Sequence, residues 1–444
     1  MSPEIEITES HLAEQVMRAH VERLRLQQTP DLGTAFGRTR LVTQKTTFDR
    51  LDLRGELGRS LRGHVAGLIW ARLALPQDER IADARNEARR ETELPEARTG
   101  SIAELQQLIV GGPPRTMQDA LRSVARAGGA VHEAEAAREE LRREIAMRLG
   151  LGIPQDAALP ATGAQLAAAA ARFFERTHDV ATGVIRHFER SLGRESSVTE
   201  ILVWLRGQSL HGLPARLSHR WLSDVLPEFA TSRIDPRAGE PLPRLLLGTL
   251  PPLLGITSFS RALGQLGQAV VAGAPLPAPE WVRRVDGAFF APARIGVLFS
   301  SLLGEPVFLA RATDASEVER AAFSRSLHVA ALFEARALAA RTMNRSHARG
   351  SSEEAEARLY VRPLPRGAFG LVPRWHDDDT TRFCALLDHP SLRERALGLF
   401  DEDWFRNPRS RSWVMLPPEP ETDFAERLDS ASDRLAAYFE AACG

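Results

Sequence analysis

Residues Thr257–Gly273, TSFSRALGQLGQAVVAG, decide the fold. Phe259, Ala262 or Leu263, Leu266 and Val270 recur at helical spacing and give one apolar stripe. Thr257 or Ser258 can cap the start, and Pro251 and Pro252 lie just upstream, outside the helix. Arg261, Gln265 and Gln268 share a second face, spaced four and three apart. Gly264 and Gly267 fall inside the helix. Each interior glycine costs up to ~1 kcal/mol against alanine, so a compensation is expected. Close approach of another backbone supplies one, because glycine has no Cβ to hold a neighbour away.

Outward from this helix the chain is a succession of helical patterns. Upstream they cover Ser10–Gln28, Ser60–Leu75, Asp78–Leu94, and a pair, Thr116–Gly128 and Ala130–Leu149, joined at Gly128–Gly129. Thr162–Leu192 reads as one long helix, followed by Val198–Gln208 and Pro214–Leu226. Downstream come Ala291–Leu303, Ala315–Thr342, Thr380–Leu387, Ser391–Leu399 after Pro390, and Glu421–Cys443. Asp401–Pro408, DEDWFRNP, reads as a docked corner that stops a helix. Val42, Thr43, Thr46, Thr47 and Phe48 are β-branched or aromatic and admit a short strand. The fold class is therefore all-α, multi-helical, with few or no strands. The Gly- and Pro-bearing run LGLGIPQDAALP at 149–160 marks a boundary. It separates an N-terminal helical domain, 1–155, from a larger helical domain, 156–444.

Composition removes several function classes. A net charge of −1 argues against a general nucleic-acid or membrane-surface binder. Lys45 is the only lysine, and it follows Gln44 without a glycine-rich loop, so a Walker A site and lysine-based covalent catalysis lack candidates. No Gly-x-Ser-x-Gly elbow, Cys-x-x-Cys pair or dinucleotide fingerprint is present. Two cysteines, Cys384 and Cys443, imply no disulfide framework and suit a reducing compartment. The N-terminus, MSPEIEITES, is acidic and polar and does not read as a signal peptide. The apolar runs are too short to span a bilayer, so the expectation is a soluble, cytoplasmic protein.

Arg261–Val270, RALGQLGQAV, resembles the central helix of gluzincin peptidases of the oligopeptidase type, which reads R-A-L-H-E-L-G-H-A-L. The resemblance puts the first metal-binding His at Gly264, the general-base Glu at Gln265 and the second His at Gln268. Phe289–Pro292, FFAP, is similar to the segment that supplies the third ligand, placing that ligand at Phe290. Every one of these side chains is replaced. Two His at i and i+4 plus a carboxylate make the zinc site of such enzymes. Glycine donates nothing, and glutamine is a poor zinc ligand. Gln265 also cannot take a proton from water, a role worth about 10²–10⁴ in rate. The resemblance thus implies a catalytically inactive metallopeptidase-like protein with no cofactor, whose residual cleft, lined by Arg261, Gly264, Gln265, Gln268 and Phe290, binds a peptide or protein partner. The same residues also suit an ordinary glycine-containing core helix.

Two further readings remain open at this point. One is a structural or scaffolding helical protein of a larger assembly. The other is an enzyme with a metal site using His376, Asp378 and His389. Against that site, Asp377–Asp379 are better placed to cap the helix that follows, where their charge meets the positive end of its dipole. His328 falls on or near the apolar side of Ala315–Thr342, as a satisfied core histidine would.

Overall fold

A computed structural model describes residues 44–50, parts of 66–87, 92–94, 98–100, 114–150, 159–193, 195–196, 201–202, 204–205, 208–215, 217–230, 255–272, 290–346, 379–415 and 424–443. Among these the chain is all-α apart from one small ribbon. The helices are α1 (Lys45–Arg50), α2 (Pro114–Leu149), α3 (Gly163–Arg176), α4 (His178–Leu192), α5 (His219–Val225) and α6 (Ile256–Ala272). They continue as α7 (Phe290–Ser301), α8 (Pro306–Ala312), α9 (Glu317–Ser346), α10 (Asp379–Phe400), α11 (Pro408–Met415) and α12 (Leu428–Cys443). Thr92–Leu94 (β1) pairs antiparallel with Arg98–Gly100 (β2). The Ser10–Gln28 helix, and residues 376–378 of the aspartate run, lie outside the described residues.

Several boundaries differ from the sequence reading. Lys45–Arg50 is a helix, not a strand; Phe48 is fully buried beside Trp70 and Ile145. Burial of one aromatic against helices outweighs the β preference of its threonine neighbours. The expected pair Thr116–Gly128 and Ala130–Leu149 is one helix, α2, running through Gly128–Gly129. Nothing approaches a Cβ position on Gly129, so the helix passes it with only a propensity cost.

Conversely, the expected single helix Thr162–Leu192 is broken at Thr177 into α3 and α4. The fully buried Arg336 of α9 causes the break. Its Nη1 donates to the Phe174 carbonyl at 2.9 Å and to Thr177 Oγ1 at 2.6 Å. Thr177 Oγ1 donates in turn to the Phe173 carbonyl at 2.8 Å. The guanidinium therefore takes a carbonyl that an unbroken helix would have used. At its other end α3 begins with the reciprocal Thr162/Gln165 capping box.

Pro390 was expected to separate two helices. It lies instead inside the continuous α10. Pro390 is itself buried in the packed interior, and tertiary contacts hold the helix through a residue that removes one ladder bond. Asp379 is the acidic residue in the first turn of α10, where its charge meets the positive end of the helix dipole, and it also pairs with Arg341 at 2.8 Å. The 401–408 corner is docked. Asp401 adopts φ 67° and ends the helix, and Trp404 and Phe405 are buried behind it.

Two apolar clusters fill the larger region. One gathers α3, α4, α12, the second half of α9 and the first half of α10 around Phe173, Phe333 and Phe383. The other gathers α5, α6, α8, the start of α9 and the end of α10 around Phe229, Phe299 and Phe308. Helix α7 reaches both: Phe290 and Ala293 belong to the first, Ile295, Leu298 and Phe299 to the second.

Candidate functional site

Helix α6 packs along α7, and the contact is glycine on glycine. A Cβ on Gly264 would meet Ser300 Oγ at 2.4 Å and the Gly296 carbonyl oxygen at 3.2 Å. On Gly267 it would meet the Ile295 carbonyl oxygen and Phe299 Cγ, both at 2.8 Å. On Gly296 it would meet Gln268 Cγ at 2.8 Å. The two backbones thus approach closely enough that no side chain fits between them, which is the compensation expected for two interior glycines. Ser300 Oγ donates to the Gly296 carbonyl at 2.8 Å, and Ser260 Oγ reaches the Ser300 carbonyl at 3.4 Å. Polar bonds therefore line the seam as well as dispersion contacts.

The five residues singled out from sequence are distributed as follows. Gly264 is buried in the seam. Gln265 is half-buried, and Arg261 and Gln268 are exposed on the same side of α6. Phe290 is buried at the start of α7, in the other cluster, with its ring against Phe424 at 6.3 Å and under the Arg294 guanidinium at 5.5 Å. The fold brings Arg261, Gln265 and Gln268 together as a polar ridge, with the Gln268 side chain lying across Gly296 of α7 at the ridge's edge. Gly264 faces the α7 backbone and Phe290 faces an aromatic core, so neither joins that ridge. None of the five lines the cavity described below.

His389, the described member of the alternative metal set, is 2% exposed. Its Nε2 lies 3.0 Å from Ser301 Oγ, and Ser301 Oγ donates to the Leu298 carbonyl at 2.8 Å. A hydroxyl has one proton, so His389 Nε2–H is the donor and Ser301 the acceptor. That order is the reverse of a serine nucleophile with a histidine base. Burial pushes the His389 imidazole down to about 3, with Arg393 and His328 adding to the effect.

His328 completes the group. Its Nδ1–H donates to the Ser324 carbonyl at 2.8 Å, which leaves Nε2 to accept from Tyr438 Oη at 3.0 Å. Burial also lowers the His328 imidazole and raises the Tyr438 phenol. Both histidine rings stand edge-on to Tyr438. Each ring proton has one acceptor, and with Nε2 taken by the Tyr438 hydroxyl His328 has no ring nitrogen left for a metal. Among the described residues, no group of three His, Cys, Asp or Glu side chains is placed to hold one.

A different constellation was missed from sequence. Arg294, Arg395, Arg427 and Arg434 line one cavity together with Asp388, Ser391, Leu387, Leu392, Phe424 and Ala431. Arg294 comes from α7. Leu387, Asp388, Ser391, Leu392 and Arg395 share one face of α10; Arg427 comes from the turn before α12, and Ala431 and Arg434 from the first turns of α12 itself. Arg294 is buried and donates from Nε to Asp388 Oδ2 at 2.6 Å. Arg395 and Arg434 have no carboxylate partner among the described residues, and Arg434 Nε–H is buried without an acceptor. The acids next to Arg434 along α12 are engaged elsewhere: Asp433 pairs with Arg172 at 2.6 Å, and Asp429 lies 3.7 Å from the same guanidinium. The only readable signal was the Asp388, Ser391, Arg395 spacing. It says nothing until α12 is known to pack against it.

No helix among the described residues is long and apolar enough to cross a membrane alone; the bent pair Phe290–Gly304 and Pro306–Ala312 passes only in combination, and its core positions are buried inside the protein. The chain was compared with protein-family models, with curated proteins and with solved structures, and no match was found in any of the three.

Proposed function

We propose that this chain is a non-hydrolytic helical protein that binds a peptide or protein partner, with a scaffold similar to that of helical zinc peptidases but without their metal chemistry. One observation carries the reading: the position matching the first zinc-binding His, Gly264, is pressed against the Gly296 carbonyl and Ser300 Oγ. An imidazole there would need the two helices to separate, so the helix serves as a packing element. What α6 offers outward is the ridge Arg261, Gln265 and Gln268, one guanidinium and two amides. These donate and accept hydrogen bonds as peptide groups do. Cys384 and Cys443 are free thiols, which suits a cytoplasmic setting.

The test is the double variant Gln265→Ala/Gln268→Ala, compared with the wild-type chain for partners captured from lysate and for melting. Weakened capture with an unchanged melt supports the reading. Unchanged capture removes it. So does stoichiometric zinc in purified protein, because no donor set described above accounts for it. Recruitment of wild type and variant alike into one large complex favours the scaffolding alternative.

A further inference from the structure

We propose that the arginine-lined cavity between α7, α10 and the start of α12 is a binding subsite for one oxyanion group, a carboxylate or a phosphate, carried by a ligand. The charge balance is the first reason. Asp388, the one carboxylate on the lining, is held by Arg294, while Arg395 and Arg434 on the same lining have no carboxylate partner among the described residues. Concentrated like charge in a partly apolar recess is unfavourable unless an anion offsets it.

The second reason is an unmet hydrogen bond. An arginine side chain carries five N–H donors and no acceptor, so only an acceptor from outside can satisfy Arg434 Nε–H where it lies buried. Planar guanidinium forks match carboxylate and phosphate oxygens in pairs, which water does not reproduce. Ser391 on the same wall adds a hydroxyl donor. Leu387, Leu392, Phe424 and Ala431 supply apolar walls that strengthen charge interactions inside.

The third reason is construction. Arg294 is 2% exposed, and its pairing with Asp388 fixes its orientation from behind. Asp429 and Asp433 of α12 are directed to Arg172 on α3, and the helical neighbours of Arg434 at three and four residues, Ser430, Ala431, Ala437 and Tyr438, carry no acid. The enclosed part of the recess is narrow, so it admits a single oxyanion oxygen at its floor, with the rest of the group and its ligand at the mouth.

This inference does not depend on the ridge of α6, and it fails or stands separately. Inorganic phosphate and acetate are titrated into the full chain at constant ionic strength set with chloride, by calorimetry and by melting temperature. Saturable binding of either anion is expected, weakened about tenfold or more in Arg434→Gln and in Arg395→Gln. Arg395 is exposed, so its variant keeps the test valid if Arg434→Gln disturbs folding. A stronger response to phosphate assigns a phosphoryl-bearing ligand, and a stronger response to acetate a carboxylate-bearing one. No saturable response beyond chloride, or unchanged affinity in a folded Arg395→Gln variant, overturns the assignment.

Discussion

Gly267→Ala should destabilise the protein, while the same substitution at Gly183 should stabilise it. At Gly267 the new Cβ would lie 2.8 Å from the Ile295 carbonyl oxygen and 2.8 Å from Phe299 Cγ, where ordinary contact begins at 3.4 Å. The Ile295 oxygen belongs to the backbone of α7 and cannot rotate away, so the helices must part by several tenths of an ångström. Overpacking of this kind costs about 1–3 kcal/mol. Alanine returns up to ~1 kcal/mol in helix propensity, leaving a net loss of up to about 2 kcal/mol. Gly183 sits in α4, exposed, with nothing within 4 Å of its Cβ position. There only the propensity gain remains, about 0.5–1 kcal/mol. The two variants should therefore move the urea midpoint in opposite directions and differ by about 2 kcal/mol. If Gly267→Ala matches or exceeds the wild type, α6 and α7 are not in close contact and the reading of the motif helix collapses with them.

Acid should unfold the protein earlier than its carboxylates alone require. The folded His389 titrates at about 3 against an ordinary 6.5, so its folded value is depressed. The unfolded chain takes up a proton below pH 6.5 and the fold does not. Stability is therefore complete above that pH and lost as pH falls toward 3, at about 1.4 kcal/mol per pH unit. By pH 5 this residue alone should remove about 2 kcal/mol, and His389→Asn should flatten the slope of denaturation midpoint against pH; an identical slope would contradict the buried neutral imidazole. Arg336→Ala should cost about 2–4 kcal/mol by urea unfolding, because it strips the Phe174 carbonyl and Thr177 of their partner and leaves a cavity over the Phe174 ring, 3.8 Å from the guanidinium. A loss below 0.5 kcal/mol would mean that the α3–α4 break does not need this cation.

The sequence was legible where the physics was local. Gly264 and Gly267 announced a close approach because a helix interior tolerates glycine at a cost that something must offset. The apolar stripe of α6 and the docking of Trp404 and Phe405 followed from spacing in the same way. Legibility failed where a distant residue decided the outcome. Thr177 breaks a helix because Arg336, 159 positions away, takes its carbonyl neighbour. Pro390 stays helical because the interior around it holds α10 together, and Gly128–Gly129 is passed because nothing forces a turn. The arginine cavity was illegible for the same reason. Arg294, Arg395 and Arg434 lie on three helices, and only folding puts them on one wall. The ridge of Arg261, Gln265 and Gln268 was readable, and so was a close approach at Gly264, but the burial of Phe290 beside Phe424 was not.

One feature of the interior bears on how the molecule comes apart. Along α9 the side chains change allegiance between Leu327 and Val329, and along α10 between Leu387 and Leu392. At those crossings stand His328 and His389, both touching Tyr438 from α12. Because α7, α9 and α10 each thread both apolar masses, neither mass can melt while the other stays whole. Heat should thus meet a single cooperative event across the helices of these two clusters, with the histidine–tyrosine junction acting as the rivet between its halves.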